Sequence, residues 1–136
     1  MLNKVHHIAI IASNYEKSKD FYVNKLELPI VHEVVRKDKN DVILIVQVGD
    51  TQLEIFGMNH PPKRVTNPEA CGLRHLAFYV DNIEKTVSWL NSKGIKTEDI
   101  RIDPITNKKF TFFRDPDDLP LELHEWLFLT FYKNNS

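Results

Sequence analysis

Cysteine is nearly absent from the 136-residue chain: the single Cys71 excludes an internal disulfide, and a reducing, cytoplasmic setting is the expectation. Charge of one sign is absent too. The 18 lysines and arginines nearly balance the 19 aspartates and glutamates, for a net charge of −1. With both signs interspersed, nothing points to a nucleic acid or a membrane surface as partner. Long apolar runs are also missing. No leading segment resembles a signal peptide and no run approaches the length of a membrane-spanning helix. What remains is 42% apolar and 27% charged residues, the composition of a globular protein. At this length one domain with one core is expected.

The chain then repeats itself. "VHHIAIIASNYEKSK" (5–19) and "LRHLAFYVDNIEKTV" (73–87) share a register offset by 68 residues. His7 falls on His75, Ala9 on Ala77, Asn14 on Asn82, and Glu16-Lys17 on Glu84-Lys85. Carried onward without a gap, the offset gives nine identities over 7–55, including Lys25/Lys93, Asp50/Asp118, Leu53/Leu121 and Glu54/Glu122. Conservative pairs such as Phe21/Trp89 and Val34/Ile102 fall between them. One register held over a whole module indicates internal duplication. A half of this size barely buries a core alone, so the two are expected to pack together.

Each half reads as a strand, a helix and three strands. The apolar runs 5–11 and 75–80 suit buried strands. Ser13-x-x-Glu16 and Asp81-x-x-Glu84 read as capping boxes. The helices carry Tyr15, Tyr22 and Leu26, and Ile83, Val87 and Leu90; they are expected to stop near Leu28-Pro29 and at Gly94. "LPIVHEVVR", "DVILIVQV" and "TQLEIF" follow in the first half, "IKTEDIRI", "KFTFFR" and "LPLELHE" in the second. Module one spans 4–56, a Pro- and Gly-containing linker 57–72, module two 73–125 and a tail 126–136, all within a single domain, 1–136.

Four polar residues stand out inside these strands: His7, Glu54, His75 and Glu122. By strand alternation Glu54 shares a face with Gln52 and Phe56, away from Leu53 and Ile55. An ionised carboxylate on an interior face is costly unless it is paired or holds a metal. A lone histidine or glutamate would be a hydrogen-bonded or solvated residue. Two of each, at matched positions of two modules, instead suggest a mixed nitrogen/oxygen site for one divalent ion. Ligand type does not choose among Ni²⁺, Zn²⁺, Co²⁺, Mn²⁺ and Fe²⁺. His6, next to His7, is expected on the opposite face; His32, His60 and His124 have no counterpart at the offset and read as solvated or structural. Cys71 reads as inert.

"VHHIAI", "EKSKDFY", "QLEIF", "PEACGLRHLAF" and "FTFFRDPDDLPLELHE", in this order over about residues 4–125, resemble the vicinal oxygen chelate superfamily, especially its small bacterial glyoxalase I-like members. The resemblance implies an α+β fold of two tandem βαβββ modules whose mixed sheets curl into an open barrel. It implies metal ligands at His7, Glu54, His75 and Glu122, with Ni²⁺ or Zn²⁺ the leading ions. It further implies lactoylglutathione lyase-type chemistry, in which a thiol hemithioacetal of methylglyoxal or a related 2-oxoaldehyde becomes a thioester by proton transfer through a metal-bound enediolate. Glu122 is then the first choice as mobile base and Glu54 the second. A small-molecule substrate and a homodimer are the implied partners. Two other readings stay open: a metal-free sequestering protein of the bleomycin-resistance type, and a metal-dependent thiol transferase or dioxygenase. The turn "DPDD" (115–118) departs from the family's Asp-Pro-Asp-Gly, a modest strain for an aspartate. The apolar stretch 126–132 is expected to cover a strand edge or an interface. Arg64, Arg74, Arg101, Arg114, Lys108 and Lys109 are the cations available to a substrate's carboxylates.

Overall fold

The computed structural model describes residues 1–126, and all but Trp126 of the apolar stretch 126–132 lies outside them. The chain is α+β and forms two compact units, 1–64 and 65 onward, each with one open four-stranded sheet. In unit 1, strand β1 (His7–Ala12) leads into helix α1 (Tyr15–Lys19), which continues as a π-helical stretch, Asp20–Lys25. Strands β2 (Ile30–Arg36), β3 (Asp41–Val48) and β4 (Thr51–Gly57) follow. Unit 2 repeats the plan with β5 (Leu76–Val80), α2 (Ile83–Ser92), β6 (Arg101–Ile102), β7 (Lys109–Arg114) and β8 (Pro120–Glu125). The sheet orders, β1-β4-β3-β2 and β5-β8-β7-β6, are the same under the duplication. The last three strands of each unit form an antiparallel meander, and its final strand pairs parallel with the unit's first.

Strand alternation divides the faces cleanly. Leu44, Val46, Leu53 and Ile55 are fully buried on one face of the first sheet, and Thr111, Phe113, Leu121 and Leu123 are buried on the corresponding face of the second. Each such aliphatic side chain contributes about 1.5–3 kcal/mol by leaving water. The helices complete these cores with Phe21 and Tyr22 in unit 1 and Ile83 and Leu90 in unit 2. In unit 1 the helix widens: the Leu26 N–H donates to the Phe21 carbonyl at 2.9 Å, a five-residue span. The larger turn puts the consecutive rings of Phe21 and Tyr22 both inside, edge to face at 5.0 Å.

Three local expectations need correction. The helix caps are Asn14 and Asn82, whose side-chain carbonyls accept from the Lys17 and Lys85 N–H groups, not Ser13 and Asp81. Asparagine is an equally good cap, and one residue closer it reaches the third helical N–H. Strand β6 keeps only two residues of "IKTEDIRI". Upstream of it, a single backbone bond from the Glu98 N–H to the Phe112 carbonyl at 2.9 Å is joined by the buried Thr111 hydroxyl, which donates to the Glu98 carbonyl at 2.7 Å. The third concerns the ungapped offset. Ile45 lies opposite Glu54, but Phe112 lies opposite Glu122, because the β7–β8 turn is one residue longer than the β3–β4 turn. Val34 therefore corresponds to Arg101 and not to Ile102: Val34 pairs with Ile43, and Arg101 with Phe110.

That longer turn is held by the buried Asp115, whose Oδ1 accepts from the Asp117 and Leu119 N–H groups, both at 2.9 Å. Asp118 takes φ +68°, the left-handed conformation in which glycine is unstrained. At Gly57 the demand is for space: an added Cβ would lie 2.8 Å from the Tyr15 Cβ and 3.0 Å from a Val42 methyl. The start of α1 thus packs directly on the end of β4. Two substitutions should move stability in opposite directions in urea unfolding. Gly57→Ala should cost about 1–3 kcal/mol through overpacking. Asp118→Gly should gain roughly 0.5 kcal/mol, the relief of backbone strain less the glycine's extra chain entropy.

Candidate metal half-sites

The parallel pairings β1–β4 and β5–β8 are in the same register. Ala9 lies beside Glu54 and Ala77 beside Glu122; His7 opens β1 on the face of Ala9 and Glu54, and His75, the residue just before β5, turns its ring toward Glu122. His7 Nδ1 is 3.5 Å from Glu54 Oε2, and His75 Nε2 is 3.5 Å from Glu122 Oε1. The glutamates are the more covered partners: their side chains are 19% and 13% exposed, against 43% and 31% for the histidines. The alanines beside them offer only a methyl group, which leaves the carboxylates uncrowded on that side.

Among the described residues, neither carboxylate has a lysine or arginine partner, and the histidine at 3.5 Å is beyond good hydrogen-bond distance. A part-buried carboxylate left without a cation or strong donors is costly, and an imidazole aimed at it is the complement a divalent ion needs. The donor set therefore fits a metal. The structure gathers the four residues as two His–Glu pairs, one per unit; among the described residues no group of three or more His, Cys, Asp or Glu is assembled as an ion site.

His6 does not turn away from His7. The strand begins at His7, so His6 is free of the pleat, and its Nδ1 lies 2.8 Å from His7 Nδ1 with the rings edge to face. One of the two nitrogens must carry a proton and donate. His32 and His60 lie exposed, and Cys71 is an exposed free thiol. A cavity of about 400 Å³ in unit 1, where the β2–β3 turn meets the start of α1, includes none of the four candidate ligands.

His124, read from the sequence as solvated or structural, is structural. It follows Glu122 by two residues on β8 and so shares its face. Its Nε2 lies 3.0 Å from Thr106 Oγ1 and 3.3 Å from Asp103 Oδ2, and its Nδ1 lies 2.7 Å from the Glu125 carbonyl. The Ile105 N–H, and then His124, hold the Asp103 carboxyl below the ordinary aspartate range. His124 thus ties the loop 103–108 to the strand that carries Glu122. The signal for its place on this face was the alternation itself, since its loop partners Thr106 and Asp103 are distant in sequence.

These faces sit on a chain with known kin. Residues 4–123 match the family model of the Glyoxalase/Bleomycin resistance protein/Dioxygenase superfamily. The chain belongs to this superfamily. It is 52% identical to the Bacillus subtilis protein YwkD, over 92% of this chain and 98% of that one. The crystal structure of a glyoxalase family protein from Enterococcus faecalis is similar at 52% identity and a TM-score of 0.85, over 90% of this chain and 97% of the other. More distant similarity reaches the human mitochondrial methylmalonyl-CoA epimerase, at 28% identity over 86% of this chain and 69% of the enzyme. It also reaches the metallothiol transferase FosB of Staphylococcus saprophyticus, at 26% over 91% and 78%. No described helix is long and apolar enough to cross a membrane.

Replacing His124 with alanine should free the 103–108 loop. The expected cost is about 1 kcal/mol for part-buried partners left unpaired, with faster hydrogen exchange at Ile105 to Asn107. Unchanged exchange in that loop would show that His124 does not hold it.

Proposed function

We propose that His7, Glu54, His75 and Glu122 together hold one divalent metal ion, Ni²⁺ or Zn²⁺ first, and that the protein is a glyoxalase I-like lyase. The observation that supports this most is the repeated His–Glu pair: the same two residue types, in the same parallel register, with the same 3.5 Å separation in both units. Duplication alone preserves buried leucines; it does not require a part-buried carboxylate beside an imidazole twice over.

When bound, such an ion supplies a Lewis acid for two adjacent substrate oxygens, stabilising negative charge that develops when a proton leaves the neighbouring carbon. The chain's own residues supply the rest. Glu122, the less exposed of the two carboxylates, accepts the proton from the carbon next to the carbonyl and returns it to the adjoining carbon. Glu54 is the second candidate for that role. The substrate class is the hemithioacetal of a thiol with methylglyoxal or a related 2-oxoaldehyde, and the product is a thioester. The assembly is a homodimer.

The second reading is a metal-dependent thiol transferase, favoured by the similarity to a protein named for metal and thiol together. Both readings need the metal, so metal binding is measured first. Calorimetric titration of metal-stripped protein with Ni²⁺ and Zn²⁺ should give tight binding, weakened at least about tenfold in Glu54→Gln and in Glu122→Gln. Glu122→Gln should further lower turnover of the methylglyoxal–thiol adduct by about 10²–10⁴-fold, the worth of a positioned base. Folded wild-type protein that binds neither ion would overturn the proposal. Tight binding indifferent to Glu54, with no isomerase turnover, would replace it with the transferase.

A further inference from the structure

The two units differ in chemistry on the face that carries the His–Glu pair. In unit 1 the ladder running away from Glu54 is aliphatic: Ile45 opposite Glu54, Ile43 opposite Phe56, and Val34 opposite Ile43. The corresponding positions of unit 2 are Phe112 opposite Glu122, Phe110 opposite His124, and Arg101 opposite Phe110. Three aliphatic residues have become two aromatics and a cation.

They also touch in series. The His75 ring meets Phe112 edge to face at 5.1 Å, and Phe112 meets Phe110 the same way at 6.0 Å. The Arg101 guanidinium lies 4.9 Å from the Phe110 ring centre and 5.8 Å from that of Phe112. Rings hold a guanidinium by their negative faces without using its N–H groups, which stay available to an oxyanion. Among the described residues Arg101 has one carboxylate neighbour, Glu98, reached by a single nitrogen at 3.0 Å with both side chains about half exposed. An ion pair this exposed is worth under about 1 kcal/mol and yields readily to a better-placed anion.

Other cations are less suited. Arg36 also stacks on a ring, Phe56, but both arms of its fork hold Asp41, at 2.7 and 2.5 Å. Arg74 is on Glu69, and Lys109 on Glu84 of the helix-covered face. Arg114 shares the Phe112 face by alternation but lies at the turn, beside Asp118.

We propose that Arg101, seated on Phe110 and Phe112, recognises an oxyanion, a carboxylate or a phosphate, at the end of the substrate remote from the reacting carbon. An apolar stretch of that substrate lies across the two rings. The assignment of the reacting end to His75–Glu122 rests on the proposed function; the anion subsite itself does not. Strand β6 stands two strand spacings from β8, so the anionic group sits roughly 10 Å from the Glu122 strand. Substrates whose only polar groups are the reacting oxygens leave this subsite empty.

The test separates the two claims. Metal-stripped full-length protein is titrated by NMR with 4-phenylbutyrate, phenethyl phosphate and the neutral 4-phenyl-1-butanol. At least one anion should bind about tenfold or more tightly than the alcohol, with shifts at Arg101, Phe110 and Phe112, and the stronger anion identifies the source. Arg101→Gln should bring anion and alcohol to parity, and Arg101→Lys, which keeps the charge without the fork, should fall between. This readout needs neither metal nor turnover. With metal restored, the methylglyoxal adduct of 3-mercaptopropionate should exceed that of 2-mercaptoethanol about tenfold in kcat/KM, a ratio that collapses toward one in Arg101→Gln. Equal binding of anions and alcohol by wild type would overturn the proposal, as would a preference that survives Arg101→Gln. Absent turnover with the NMR preference intact would instead sink the lyase reading and leave the subsite standing.

Discussion

The parallel pairing of each unit's first strand with its last is the constraint on which the candidate site depends. Parallel neighbours cannot be joined by a tight turn, so the chain must leave by a helix and a meander before its fourth strand returns beside the first. The register of that return decides everything on the polar face. Shifted by one residue, Glu54 would exchange places with Leu53 or Ile55 and be buried in the core. The apolar alternation of β4 and β8 forbids this, because Leu53, Ile55, Leu121 and Leu123 lose their burial if the strand turns over. Core packing therefore places the carboxylates, and the histidines follow from the same pleat one strand away.

The sequence carried this much because duplication records register. Glu54/Glu122 lie in, and His7/His75 open or directly precede, the strands of the parallel pairing, where the offset of 68 is constant. The middle of each module was less legible. A one-residue difference in turn length leaves no mark on an ungapped comparison, yet it moves Arg101 rather than Ile102 into Val34's place. Helix starts were misread by one position because two capping residues stand side by side, Ser13-Asn14 and Asp81-Asn82, and propensity ranks them alike. His6 was misread for a related reason: alternation applies only inside a strand, and the strand starts one residue later. The loop partners of His124, and those of Thr111, come from residues 12 to 21 positions away, which periodicity does not see.

A duplicated fold poses a problem that a duplicated sequence solves only halfway. Two equivalent half-sites offer two equivalent carboxylates, whereas the proton transfer proposed above asks one of them, Glu122, to behave differently from the other. The backbone cannot supply the difference, since its registers match. The surroundings can. Glu54 has Ile45 across from it and a histidine that is 43% exposed and engaged by His6. Glu122 has Phe112 across from it, His75 packed on that ring, and His124 two residues on, tying down a loop.

The second half is thus the more covered and the more rigidly framed, and the same ladder continues into Phe110 and Arg101. The proposed proton transfer and the proposed anion recognition would thus both fall on the second unit. On that proposal, a substrate held at Arg101 would lie along Phe110 and Phe112 toward Glu122, all within the second unit. The first unit is aliphatic along the matching ladder, with Ile45, Ile43 and Val34 where the second has Phe112, Phe110 and Arg101, and so has neither rings nor a cation at those three positions.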